Sequence, residues 1–394
     1  MNPTCISCEK KVSKLFSLGD QPMANKFPIA ELPKIDEWHQ NLNAYFCDQC
    51  LYINVACDLE RSDFFEDYYY LSSVNDELVQ HFQNLAKQIA KNKPTLVVDV
   101  GSNDGILLKP LRDLGVNAIG VDPSHNVGAI ANRNKLETII GFFDLKVAET
   151  ILGQRGPADV IVASSVFTHL DNPGQFFEVA DALLTKDGQI IIEVEYLGDI
   201  IHTLGFERFY FDRPHYFSIT TIQRLAANHQ FTLKHVEHIS PHGGSVRLSL
   251  SRSRVTGGAT DINYNEHASL SSNFILESFA KFTDSCAALC ESLSTMKLKG
   301  ERVAGYGCPA RFSTITNFAN IDSTLLPFVI DDSPLKQGLS SPGKRIPIMS
   351  FEQSEEVQNY ILFAYEYASS IRKRVEVKQK NVKFFRPVPF QQLP

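Results

Sequence analysis

Short apolar runs, several of them closed by glycine or an acid, recur from residue 97 onward. Val97-Val98-Asp99-Val100 reads as a strand buried on both faces of a parallel sheet. The pattern breaks at Gly101-Ser102-Asn103-Asp104-Gly105, resumes with helical spacing over residues 106–114 and stops at Gly115. Residues 118–121 form the next apolar run, which ends in Asp122-Pro123. Further strands are predicted at 138–141, 159–163 and 189–194, with a helix at 174–184 and a turn at Asp187-Gly188. Upstream, residues 76–90 repeat their apolar positions at helical spacing. Downstream, residues 254–300 read as a polar linker and a long helix at 273–298. Residues 303–311 open a second strand–turn–helix unit, followed by strands at 328–330, which ends in Asp331-Asp332, and at 360–364. Alternating strands and helices predict an α/β protein built on a doubly wound sheet, with a second, smaller α/β domain after it.

The first unit carries chemistry. Glycines after a strand let a ligand approach the backbone, and the helix start offers free N–H groups. Asp122, at the tip of the next strand, is placed to accept hydrogen bonds from ribose hydroxyls. The turn is neither GxGxxG nor the GK[ST] of a phosphate-gripping loop. Asp99 before the first glycine, and Asn103-Asp104 inside the turn, suit a ligand with an amino-acid cation better than a pyrophosphate. Ser164 to His169 follow strand 159–163 at its carboxyl end, where open α/β sheets place their ligands. The second unit's turn, Gly305-Tyr306-Gly307-Cys308-Pro309, lacks the dinucleotide fingerprint, so no second cofactor is expected.

Composition narrows the class. The 394 residues suffice for two or three domains, and 43% hydrophobic with 21% charged residues is the balance of a globular protein. No apolar run approaches the roughly 18 residues of a membrane span, and the N-terminus has no apolar signal region. A cytoplasmic protein without a membrane partner is expected. A net charge of −7 argues against a nucleic-acid partner.

The eight cysteines are then expected as metal ligands or packed thiols rather than disulfides. Cys5-x-x-Cys8 and Cys47-x-x-Cys50 have the spacing of a tetrathiolate zinc site. Four thiolates leave no open coordination position, so the reading is one structural zinc, stapling a segment with few large apolar residues. Cys57 falls outside the spacing and reads as a packed thiol. Tyr68-Tyr69-Tyr70 reads either as a half-buried lid or as the source of a phenol for cofactor or substrate.

The densest polar and aromatic set lies between 193 and 250. It holds Glu193-Val194-Glu195-Tyr196, a run from Phe206 to Ser218 with Tyr210, Asp212, Arg213 and His215, and His242-Gly243-Gly244-Ser245 before a strand containing Arg247.

The turn GSNDG followed by VDPS resembles motif I of class I S-adenosylmethionine (SAM) methyltransferases. Over almost its full length the chain is similar to the sugar C-methyltransferases that act on nucleotide-linked 4-keto deoxysugars. The similarity is carried by the paired CxxC with LFSLGDQPMANKF between them, by GSNDG, by EVEYLGDII with HGGSVRLSL, and by GYGCPARFSTITN with DDSPLKQG and PGKRIPI. It implies a zinc module at 1–62, a Rossmann-like SAM domain at 63–255 and a C-terminal α/β domain at 256–394, in a monomer or dimer. SAM is expected against Tyr69, Gly101, Ser102, Asn103, Asp104, Gly105, Asp122, Pro123, Phe142, Ser164 and His169. The nucleotide sugar is expected between the central and C-terminal domains, against Tyr196, His242, Ser245, Arg247, Tyr306, Arg311 and Lys336.

The implied reaction removes a proton beside a ketone, and the enolate attacks the sulfonium methyl. The family carries Tyr-His-Glu-His-x-x-Tyr-Phe-Ser, with the second histidine as base. Here Tyr210 keeps the tyrosine, while Phe211, Asp212 and Arg213 replace the next three residues. Arginine stays protonated and cannot be that base, although it can hold an enolate oxygen or a phosphate. His215, on the same side as Arg213 if the segment is extended, is the expected base, with Asp212 and Tyr210 orienting it or the substrate. A structural role for His215 would pass the task to Tyr210 or to Tyr68–Tyr70. Methylation of oxygen or nitrogen on a related sugar, or a silent assembly protein, are the alternatives.

Overall fold

Val97, Val98 and Val100 are buried from both sides because their strand, Val97–Val100, lies inside a seven-stranded sheet. The structure, a computed structural model, describes residues 3–29, 37–65, 71–252 and 265–394. Across the central sheet the order is Phe231–Ile239, Ser245–Arg252, Leu184–Glu195, Ala158–Ser164, Val97–Val100, Ala118–Asp122 and Thr138–Ile140. From Leu184–Glu195 to Thr138–Ile140 the pairing is parallel, and Ser245–Arg252 is antiparallel to both its neighbours. This is the class I SAM-methyltransferase fold. Its parallel strands end together, so Gly101, Asp122, Ser164 and Glu195 meet along one edge, as the crevice rule for open α/β sheets requires.

One local expectation is corrected. Asp187-Gly188 does not end an element, because the strand runs through it from Leu184 to Glu195. Ala158 faces Leu184 and Val160 faces Gln189, so the extra residues bulge out while both ends keep their ladder partners.

Two further sheets flank the centre. Strands Ser13–Pro22, His39–Cys47 and Tyr52–Val55 form an antiparallel sheet, and its fourth strand, His215–Tyr216, comes from beyond the central sheet's Leu184–Glu195. At the other end, Ile348–Met349, Val329–Ile330, Val303–Tyr306, Asn359–Leu362 and Lys383–Arg386 are parallel, with Gln391–Gln392 antiparallel at the edge. The helix Ser272–Leu298 packs Phe282, Leu289 and Leu293 into the same apolar cluster as Phe16, Leu18 and Leu42 of the N-terminal sheet. The cysteine knuckles pack differently: Cys5, Cys47, Cys50 and Tyr52 join the core of the central sheet. Among the described residues no helix is long and apolar enough to cross a membrane.

Candidate active site

The ends of the central strands open into a cavity of about 750 Å³, walled by the central and C-terminal sheets and by connections that include Asn25 and Arg61 beyond the N-terminal strands. On the central side it is lined by Asp99, Gly101, Asn103, Asp122, Pro123, Ser124, Phe142, Phe143, Ser164 and His169. On the opposite side stand Tyr306, Gly307, Arg311, Asp331, Asp332, Lys336, Glu366 and Arg374, with Glu195, Arg208, Tyr210 and Arg213 on the floor.

The cofactor turn is built around one glycine and one acid. Gly101 has φ +73°, and a Cβ there would stand 2.6 Å from the Val166 side chain, so only glycine lets the chain turn under the cavity. Asp122 Oδ2 accepts from the Asn103 N–H at 2.8 Å, and its Oδ1 accepts from the Ser124 N–H at 2.9 Å. Each oxygen keeps a lone pair, and the carboxylate lines the cavity. Burial pushes the Asp122 carboxyl above its usual range. It does the same, more strongly, to Asp99, with the Asp122 and Glu193 charges adding to the effect. A cation entering this end would relieve both acids, which fits a ligand with an ammonium and a sulfonium charge.

The rest of the turn serves another purpose. Ser102, Asp104 and Gly105, expected against the cofactor, do not line the cavity. Asp104 Oδ2 instead accepts from the Ser73 N–H at 3.2 Å and hydroxyl at 2.5 Å, while Asn103 Oδ1 accepts from the Ser72 N–H at 3.1 Å. The turn side chains thus clamp the strap that leads into helix Asp76–Ala90, itself capped by Asn75 on the Leu78 N–H. Gly105 closes the turn, where φ +86° and a close Leu136 side chain require glycine. Tyr68–Tyr70 lie outside the described residues, and so does the side chain of His242.

The expected base is also corrected. The Arg213 N–H donates to the Tyr210 carbonyl, so the chain turns at 210–213 instead of running extended. Beyond Pro214, His215 pairs with Asn54 on the edge of the N-terminal sheet. The side chain of His215 does not line the cavity; it is buried, with Nδ1 2.5 Å from the Tyr52 hydroxyl and its ring packed against both Tyr52 and Phe217. Burial pushes its pKa down to about 4. Asp212 is turned away as well, its Oδ2 accepting from Asn25 Nδ2 at 2.5 Å. Tyr210 and Arg213 do face the cavity.

Among the described residues, His169 is the histidine on the cavity wall. Its Nδ1 lies 2.6 Å from the Asp212 carbonyl, so Nδ1 carries the proton and Nε2 the free lone pair. Burial first, then the Arg213 and Arg61 charges, push its pKa down to about 3, opposed by the Asp212 carbonyl and Glu195. A neutral imidazole of fixed tautomer beside a cavity has a lone pair placed to accept a proton there, although the depressed pKa makes it a weak base.

On the C-terminal wall, Tyr306, Arg311 and Lys336 line the cavity. Lys336 Nζ donates to the Cys308 carbonyl at 3.0 Å and lies 3.6 Å from Asp331. Arg311 forms a two-pronged pair with Glu366, which also accepts from Arg208 at 3.0 Å. Tyr196, Ser245 and Arg247, expected against the substrate, stand outside the cavity. Tyr196 donates to Glu266 at 2.8 Å, Ser245 to the Pro241 carbonyl at 2.9 Å, and Arg247 to Glu193 at 2.6 Å, so all three are spent on internal bonds. Sequence reasoning missed Arg208, Glu366 and Arg374. Arg208 sits inside the polar run 206–218, whereas nothing local marks Glu366 or Arg374.

The four cysteine sulfurs of the two knuckles lie within 4.8 Å of one another, with Cys8 and Cys47 3.7 Å apart. A tetrahedron of sulfurs at about 2.3 Å from one ion has edges of about 3.8 Å, so the set fits a zinc ion.

Comparison with known proteins agrees with the geometry. Residues 70–236 match a methyltransferase domain model, and residues 240–389 match the model of the C-methyltransferase C-terminal domain. The chain is 28% identical over 388 residues to the C-methyltransferase NovU of Streptomyces niveus, covering 95% of this chain and 92% of that one. It is also 28% identical over 123 residues to a ubiquinone biosynthesis O-methyltransferase of Azorhizobium caulinodans, covering 31% of this chain and 49% of that protein. Among solved structures, magnesium protoporphyrin IX methyltransferase from Synechocystis with bound SAH is similar at 18% identity and a TM-score of 0.37, covering 47% of this chain and 91% of that one. The O-methyltransferase match covers under a third of the chain, whereas the C-methyltransferase match spans nearly all of it, and the chain is a SAM-dependent methyltransferase similar over 95% of its length to a C-methyltransferase.

Proposed function

We propose that this methyltransferase acts on the carbon beside the ketone of a nucleotide-linked deoxysugar. The observation that carries the reading is a single cavity shared by the cofactor turn, the neutral His169 and a cation-bearing C-terminal wall. Asp99 would face the methionine ammonium, Asp122 the ribose hydroxyls, and Phe142 with Phe143 the adenine. When bound, SAM supplies an electrophilic methyl whose C–S bond breaks as the new C–C bond forms. Lys336, Arg311 and Arg374 suit the diphosphate of the sugar nucleotide. His169 Nε2 removes the proton beside the ketone, with Nδ1 held by the Asp212 carbonyl. This moves to His169 the role expected of His215.

The experiment is incubation of methyl-labelled SAM with a panel of nucleotide-linked keto sugars. A carbon-bound methyl by NMR supports the reading. A methyl on oxygen or nitrogen, or no transfer to any member, contradicts it.

We further propose that Cys5, Cys8, Cys47 and Cys50 hold one structural zinc. Purified protein is expected to carry one zinc per chain, and Cys8→Ser to lose it and destabilise the N-terminal sheet. Wild-type protein free of zinc would end that reading.

A further inference from the structure

Five guanidinium groups line the cavity, and they differ in how fully they are used. Arg61 is committed on every side, with Nη1 on the Asp212 carbonyl, Nη2 on the Phe211 carbonyl and Nε 3.2 Å from Asp171. Arg208 and Arg311 share Glu366, and Arg374 bridges Asp332 and Glu352. Arg213 is bound by one prong. Its Nη1 donates to Glu195, while its buried Nε has no acceptor. The residue is 9% exposed, and its guanidinium lies over the Tyr210 ring, 5.0 Å from the centroid. The Arg311 Nε is likewise without an acceptor, so what sets Arg213 apart is its single ion-paired prong, which leaves its other terminal N–H donors for a ligand oxygen in the cavity.

Arg213 is also a close neighbour of His169. After burial, the Arg213 charge is the largest influence holding that imidazole neutral. The cavity therefore sets a base with a free lone pair beside an under-used, fixed cation. We propose that Arg213 holds the carbonyl oxygen of the methyl acceptor and stabilises it as it becomes an enolate oxygen, while His169 takes the proton. The proposal rests on the reading above that the acceptor is a carbon beside a ketone.

The step balances within the cavity. The C–H bond of the acceptor carbon breaks and its proton goes to His169 Nε2. The bonding pair becomes the new C=C bond, and the carbonyl π pair moves onto oxygen, where the negative charge faces Arg213. Glu195 fixes the guanidinium and already offsets one unit of its charge. Such a pair offers directed donors more than a net positive field. That suits an oxygen neutral before the step and anionic during it.

The test is exchange of the substrate's α-proton with deuterated water, without SAM, in wild type, Arg213→Met and Arg213→Lys, each checked for SAM affinity by calorimetry. Wild type should exchange. Arg213→Met should lose about 10²-fold or more in exchange rate with SAM affinity kept, and Arg213→Lys should recover part of the loss. In methyl transfer the deficit should fall on kcat more than on KM. A substrate-free check follows from adjacency: by NMR, the His169 imidazole of Arg213→Met should titrate closer to its ordinary range, with Arg61 and Glu195 as the remaining charges beside it. Wild type that exchanges while Arg213→Met matches it would overturn the proposal and leave the substrate reading standing. An unmoved His169 titration would also overturn it. A wild type that exchanges no keto sugar would overturn both.

Discussion

Two strand–turn–helix–strand units face each other across the cavity, built alike but charged differently. In the central unit, Asp122 accepts from the N–H groups of Asn103 and Ser124 at 2.8 and 2.9 Å. In the C-terminal unit, Asp331 accepts from Cys308 and Ser333 at 2.7 and 2.9 Å. Gly101 and Gly307 occupy the same place in each turn with φ of +73° and +84°. The surroundings differ. Asp122 shares its side of the cavity with another acid, Asp99, and both carboxyls are pushed up by burial. Around Asp331 stands Lys336, with Arg311 and Arg374 beyond it on the same wall. One backbone device thus stands in two different surroundings, acids beside the central turn and ion-paired cations and acids beside the C-terminal one. On the proposed reading, the acidic end takes the cationic methyl donor and the ion-paired end the sugar nucleotide.

The sharpest break of this comparison lies between the two ends, at the base. His169→Asn should lower methyl transfer by about 10² or more while SAM affinity stays near wild type. Steady-state kinetics with calorimetry checks this. The matched acids come next. Asp122→Ala should weaken SAM binding by roughly 1.5–3 kcal/mol, or about 10–150-fold, because the lost bonds go to a charged group. Asp331→Ala should leave SAM affinity unchanged and raise the KM for the sugar nucleotide by about 10-fold. If both variants weaken SAM equally, the two ends do not divide the ligands. Phe142→Ala should cost SAM binding about 0.5–1.5 kcal/mol, since Phe142 is 48% exposed and offers one face to a ring. The smallest effect concerns pH. With its pKa pushed down to about 3, His169 stays neutral across the working range, so α-proton exchange should show no fall between about pH 8 and pH 5 from this group. An acid limb near pH 6.5 that disappears in His169→Asn would contradict that.

What the chain discloses locally is strong where one element carries the whole signal. The helix predicted at 76–90 is the helix Asp76–Ala90, because its buried Leu78, Phe82, Leu85 and Ile89 recur on one face after a capping Asn75. The strands around GSNDG are read from their own apolar runs, and the cysteine quartet from its spacing alone. The site was less legible because its geometry depends on partners distant in sequence. Asp104 looks like a ligand contact until Ser73 claims both its N–H and O–H bonds to the carboxylate. His215 looks like the base until strand Tyr52–Val55 draws it out of reach. His169 gains its tautomer from a backbone carbonyl at Asp212, which carries no side-chain signature.

The most direct measurement compares His169→Asn with His215→Asn in α-proton exchange from a nucleotide-linked keto sugar in deuterated water. His215→Asn should exchange at close to the wild-type rate, and lose roughly 1–3 kcal/mol of stability as the buried Tyr52 hydroxyl loses its acceptor. His169→Asn should not exchange measurably while remaining folded and SAM-binding. Exchange that survives in His169→Asn, or disappears in His215→Asn with the fold intact, would contradict the account.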